Sequence, residues 1–182
     1  MLKITKILPE EMRTSAWSGG TTTEIAIFPV GAEYARRDFL FRISTAMVEL
    51  DESDFTSLPD YDRIIASVEG TMELTHRTED GGETAAIEPR KTVHRFDGGV
   101  PTHCVGRARD LNLMLRKGGA EGDMRFTDRG KLCSLALGPG EFALVYGLEG
   151  GAAWLAEADT EGRIEFLIKE PSALFTVRLV NE

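Results

Sequence analysis

Almost no window of this chain carries a helical period. Apolar and polar residues alternate in short runs, and turns containing Gly, Asp or Pro interrupt them about every 8 to 12 residues. Alternating residues point to opposite faces of an extended strand. An amphipathic helix instead needs apolar positions three and four apart, sustained over ten or more residues. A chain punctuated this often folds as an antiparallel sandwich or barrel.

Leu2 to Leu8 alternates and predicts a first strand, which Pro9-Glu10-Glu11 ends in a short helical turn. Gly19-Gly20 leads into a β-branched run, Thr21 to Phe28, that predicts a strand. The glycine pair reads as a bend in preference to a close approach to a ligand. From Phe41 to Met47, Arg42, Ser44 and Ala46 fall on one face and Phe41, Ile43, Thr45 and Met47 on the other. An acidic turn follows, Glu49 to Asp54. Arg63–Val68 and Thr71–Arg77, joined by Glu69-Gly70, predict a hairpin. Val93–Phe96 and Pro101–Val105 flank Asp97-Gly98-Gly99, so His94 and His103 are placed to meet across a second one. Further on, Asp110, Asn112 and Met114 share one strand face, and Leu111, Leu113 and Leu115 the other.

The Gly-rich stretch Gly118 to Asp123 divides the chain. Its 182 residues suit one large domain or two small ones. Both halves are series of short strands, so the expectation is two stacked β-barrels, residues 1–117 and 118–182, with strands exchanged between the halves.

A net charge of -9 argues against a nucleic-acid partner, which wants a basic face. It leaves room for a small anion held by local arginines. Two cysteines, Cys104 and Cys133, are too few for a disulfide framework and lack the paired spacing of a zinc site. No apolar run approaches the roughly 18 residues of a membrane span. The first residues hold no apolar core of signal-peptide length, so a soluble, cytoplasmic chain is expected.

Metal chemistry finds little support. A cupin metal site wants two histidines one residue apart, a carboxylate and a distant histidine. The three histidines, His76, His94 and His103, form no such pair, so neither metal nor cofactor is expected. Ser18, Ser44 and Ser57 lack a neighbouring histidine, and no Gly-rich loop opens a helix. What remains is a polar constellation: Thr22, Glu24, Arg42, Ser44, Ser57, Arg63, Asp110 and Asn112, with Trp17, Phe55 and Met114 as apolar walls. It suits a concave pocket for a small polar anion. The competing reading is a set of cross-strand polar pairs, with Arg42 and Arg63 satisfied by carboxylates such as Asp54, Asp60 or Asp62.

Four motifs in order resemble the HutD family, whose relatives include the cold- and stress-associated Ves proteins. They are Trp17-Ser-Gly-Gly-Thr-Thr22-Thr-Glu24-Ile25, Arg42-Ile-Ser44-Thr-Ala46, Phe55-Thr-Ser-Leu-Pro59-Asp-Tyr-Asp-Arg63 and Arg109-Asp110-Leu-Asn112-Leu-Met114. The resemblance covers roughly residues 15 to 116. It implies an all-β double cupin that forms a homodimer. It also implies an accessory role near histidine utilisation, binding a small carboxylate such as urocanate or an N-formyl- or formimino-glutamate without catalysis. Two other readings stand beside it. One is a metal-independent cupin enzyme with Glu24 as general base and Arg42 as anion clamp. The other is a structural or interaction module whose polar cluster is internal bracing.

Overall fold

The computed structural model describes residues 1–180. Its regular structure among those residues is seventeen strands and two short 3-10 turns, Pro9–Glu11 and Tyr34–Arg36. The chain falls into two compact units. One is residues 13–117; the other joins residues 1–12 to the chain from Gly118 onwards.

The strands in chain order begin with β1 (Leu2–Ile7), β2 (Arg13–Trp17), β3 (Gly20–Phe28), β4 (Phe41–Val48), β5 (Glu52–Asp54) and β6 (Tyr61–Glu69). Then come β7 (Met72–Thr78), β8 (Gly81–Ile87), β9 (Val93–Asp97), β10 (Thr102–Val105) and β11 (Ala108–Arg116). β12 (Ala120–Thr127), β13 (Leu132–Leu137), β14 (Glu141–Gly147), β15 (Ala153–Ala158), β16 (Gly162–Leu167) and β17 (Ser172–Leu179) complete the series.

The unit of residues 13–117 contains a six-stranded sheet, ordered β2-β3-β4-β11-β6-β9, and a four-stranded one, β5-β10-β7-β8. β4, β6 and β11 are the central strands and are buried along nearly their whole length. Val48, Ile65, Met72, Leu74, Ile87, Cys104 and Ala108 form an apolar core drawn from both sheets. A second cluster, Phe39, Leu58, Tyr61 and Met114, lies at the other end of β11. The edge strands β2 and β5 escape sequence reading: β2 is largely exposed, and an edge needs no apolar alternation.

The expected hairpin at Glu69-Gly70 does not form. β6 pairs with β11 and β9, whereas β7 pairs with β10 and β8. A strand buried on both faces takes neighbours on both edges of its own sheet, so β7 is displaced to the other sheet. Gly70, at φ 77°, turns the chain there, and a β-carbon at this position would run into the Arg107 carbonyl. A side chain at this point meets both left-handed strain and backbone. Gly70→Ala is therefore expected to lose about 1–3 kcal/mol of stability in urea unfolding. An unchanged midpoint would show that the corner adapts. The second expected hairpin fails likewise, since β9 pairs with β6 and β10 with β5 and β7.

The other unit holds a five-stranded sheet, β1-β15-β14-β17-β12, and a two-stranded ribbon, β13-β16. Leu137, Ala143, Ala156, Ala158 and Ile164 form one apolar cluster there; Cys133, Val145, Ile168 and Leu174 form another. β1 precedes residue 117 in the chain but lies with this later unit. It pairs with β15 from Leu2↔Ala158 to Ile7↔Ala153, and so belongs to this unit. Alternation marks a strand but does not name its partner. The architecture is all-β and cupin-like, with open sandwiches in place of closed barrels. No helix among the described residues is long and apolar enough to cross a membrane.

Candidate functional site

Register places the polar residues. On one face of the six-stranded sheet three cross-strand rows run side by side. The first is Ile27, Arg42, Met114, Arg63, Phe96. The second is Glu24, Ser44, Asn112, Ile65, His94, and the third Ser15, Thr22, Ala46, Asp110, Ser67. A bulge at Ile25 sets the first of these. Glu24 pairs with Ser44 but Ala26 with Ile43, so Thr22 and Glu24 before the bulge face the same way as Ile27 after it.

Residues from all three rows line a cavity of about 220 Å3. Nine of the eleven residues singled out from sequence line it: Trp17, Thr22, Arg42, Ser44, Phe55, Arg63, Asp110, Asn112 and Met114. Trp17 stands edge-on to Phe55, with ring centroids 6.2 Å apart. The segment carrying Phe55 is pinned by its own N–H to the Thr102 carbonyl at 3.0 Å and by Leu58 N–H to the Gly98 carbonyl at 2.6 Å.

Glu24 and Ser57 do not line the cavity. Glu24 Oε2 accepts a hydrogen bond from Arg42 Nε at 2.7 Å, so it holds the arginine from behind. The enzyme reading that made Glu24 the general base loses its base from the cavity. The exposed Ser57 hydroxyl donates to the Gly99 carbonyl at 3.1 Å. Ser15, Ala16, Tyr34, Ala46 and Thr56 line the cavity but were not singled out. Ala46 was legible, sharing the strand face of Arg42 and Ser44. Tyr34 was not, because it comes from an irregular 3-10 turn.

The two arginines differ. Arg42 is ion-paired with Glu24 and its guanidinium lies over the Tyr34 ring at 4.4 Å. Neither it nor Arg63 takes Asp54, Asp60 or Asp62 as an ion-pair partner among the described residues. Arg63 is 6% exposed and sits between Phe55 and Phe96, 5.1 and 5.2 Å from their ring centroids. Its Nε has no hydrogen-bond partner. Burial pulls its guanidinium down to about 10, although Asp110 attracts it.

Asp110 is 3% exposed, and its Oδ1 has no hydrogen-bond partner. Burial pushes its carboxyl up to about 7, against the pull of Arg63 and a backbone hydrogen bond at Ala46. Asn112 Oδ1 and Trp17 Nε1 are also buried and unpartnered. Native interiors seldom leave such atoms unsatisfied, and each costs about 1–3 kcal/mol when they do. Four in one cavity argue against simple internal bracing, which would have paired them.

The histidines meet otherwise than expected. His94 Nε2 lies 2.8 Å from His76 Nε2, and His76 Nδ1 2.8 Å from Thr102 Oγ1. His103 instead bonds Asp54 at 2.9 Å. Among the described residues no group of three or more His, Cys, Asp or Glu is arranged to hold a metal ion.

Fold and cavity together define a cupin-like β-sandwich protein with a buried, arginine-bearing polar pocket in one unit. The HutD family profile matches residues 9–175, and the chain belongs to the HutD family. Among solved structures it is similar to HutD from Pseudomonas fluorescens SBW25, studied in a formate condition. That match has a TM-score of 0.77 and 20% identity, and covers 98% of this chain and 100% of that one. A conserved protein of unknown function from Pseudomonas aeruginosa PAO1 matches with the same four values: 0.77, 20%, 98% and 100%. Oxalate decarboxylase from Bacillus subtilis shares the fold at a TM-score of 0.59 and 7% identity, over 97% of this chain and 77% of that one. No curated protein sequence matches the chain.

Proposed function

We propose that this HutD-family chain is an accessory protein that binds a small carboxylate metabolite of histidine utilisation, such as urocanate or an N-formyl- or formimino-glutamate, without a metal. One observation carries the reading. Arg63 brings a buried guanidinium to the cavity with an unpartnered Nε and, among the described residues, no carboxylate in ion-pair contact. A buried cation of this kind wants an anion. Arg42, steadied by Glu24 and Tyr34, supplies a second positive group to the same space. The cavity of about 220 Å3 suits a metabolite smaller than a drug-sized ligand.

A thermal-shift screen against urocanate, N-formylglutamate, formiminoglutamate, glutamate and formate tests this. A ligand at 100 times its dissociation constant adds about 2.7 kcal/mol. Arg42→Ala is expected to weaken the best ligand by at least about 1.5 kcal/mol, the lower range for a hydrogen bond to a charged group. Unchanged affinity in a folded variant would remove Arg42 from the clamp.

A metal-independent enzyme is the second reading, and Asp110 is the observation that favours it. A cavity carboxyl raised to about 7 is suited to moving a proton. Turnover of a bound acid, followed by NMR and lost in Asp110→Asn, would favour catalysis over binding alone.

A further inference from the structure

The unpartnered atoms of the cavity are not all alike. Arg63 Nε is a donor and suits an anion. Asp110 Oδ1 and Asn112 Oδ1 are acceptors, 3% and 5% exposed by residue, and a ligand carboxylate cannot satisfy either while Asp110 is ionised. Their backbone positions are set back from those facing the arginines, although the Arg63 side chain reaches toward Asp110. Arg42 and Arg63 flank Met114 on β11; Asn112 lies two residues back along that strand and Asp110 four. At the rise of a strand these offsets are about 7 and about 13 Å at the backbone.

We propose that Asp110 and Asn112 form a second subsite in this cavity, one that accepts an N–H group of the ligand whose carboxylate meets Arg63 and Arg42. The inference rests on the anion reading above and narrows it. The ligand is a small acid that carries an N–H donor (an amide, an amidine or an imidazole) several ångströms from its carboxylate. Simple dicarboxylates and formate fill only the arginine end. Asp110 then acts as an ionised acceptor, and the N–H it receives supplies the bond its Oδ1 lacks.

The charged and titratable groups around Asp110 fit that role. Arg63 reaches it from β6 and favours its ionised form. Cys104, from β10, is pushed up to about 11 by burial and the nearby Asp110, so the thiol stays neutral. Arg42, from β4, is already paired with Glu24. An N–H donor is thus the group that would favour the carboxylate when a ligand enters.

The test uses matched acids that differ in the donor alone. One pair is N-formyl-L-glutamate and the ester isostere in which oxygen replaces its N–H. The other is 3-(imidazol-4-yl)acrylate and 3-(1,3-oxazol-4-yl)acrylate, in which oxygen replaces only the ring N–H. Titration calorimetry on the full chain at pH 6 and pH 8, in wild type and Asp110→Asn, measures all four. The N–H member of at least one pair is expected to bind at least tenfold tighter. That advantage should grow with pH in the wild type beyond any change seen in Asp110→Asn, which carries the ligand's own titration and so sets the baseline. Equal binding within both pairs would overturn the subsite and leave the anion reading standing. Binding that weakens toward pH 8 in the wild type only would also overturn it, because Asp110 would then be donating its own proton. No binding by any of the four would overturn the anion reading and this one with it.

Discussion

In an Arg63→Met variant, carboxylate binding is expected to fall by about 1.5–3 kcal/mol, the range for a hydrogen bond to a charged group, or roughly ten- to 150-fold. The same substitution should leave the unliganded fold as stable as before, or more so. Arg63 is buried, which lowers its pKa, and takes part in no ion pair among the described residues. Replacing a buried charge by an apolar side chain of similar length removes that desolvation cost. Met also retains packing between Phe55 and Phe96, which Ala would not. Parallel melting curves with and without ligand separate the two effects. A large drop in the unliganded melting point would recast Arg63 as a structural brace and favour the interaction-module reading.

Asp110→Asn should show the opposite dependence on pH from the usual surface carboxylate. The folded pKa of Asp110, about 7, lies above its ordinary value of 3.8. The native state therefore binds the extra proton between those values. Stability from this group is fully present below about pH 4 and is lost as the pH rises through 7. At about 1.4 kcal/mol per pKa unit, the window corresponds to a loss on the order of 4 kcal/mol. Asn mimics the protonated form at every pH. The variant is thus expected to melt well above wild type near pH 8 and at the same temperature near pH 4. Equal melting points at pH 8 would mean that Arg63 compensates the carboxylate fully, and that Asp110 is ionised throughout the neutral range.

Much of the candidate site was legible because strand faces follow a period of two. Arg42, Ser44 and Ala46 had to share a face, as did Asp110, Asn112 and Met114, whichever strands they paired with. The HutD motifs fall on those strands, on β2 and β3, and on the segment carrying Phe55. Tyr34 and Ser15 were not legible, because a 3-10 turn and an exposed edge strand leave no periodic trace. Ser57 stands outside the cavity lining for a related reason. Outside a strand no period fixes direction, and its side chain turns to the Gly99 carbonyl. Glu24 was assigned a free carboxylate's role, but its partner depended on a register that sequence does not state.

Alternation and frequent turns determined that this chain is all-β and which residues of each strand lie together. The tertiary structure decided which strands are neighbours. It sent β7 and β10 to the four-stranded sheet, brought β1 to β15, and set His94 against His76 rather than His103. The reason is physical. A strand's faces are fixed by local backbone geometry, whereas its edges carry the same N–H and C=O groups whatever the side chains. The choice of partner rests on the burial that the whole sheet achieves, and only that choice brought Arg63 and Asp110 to the lining of one cavity.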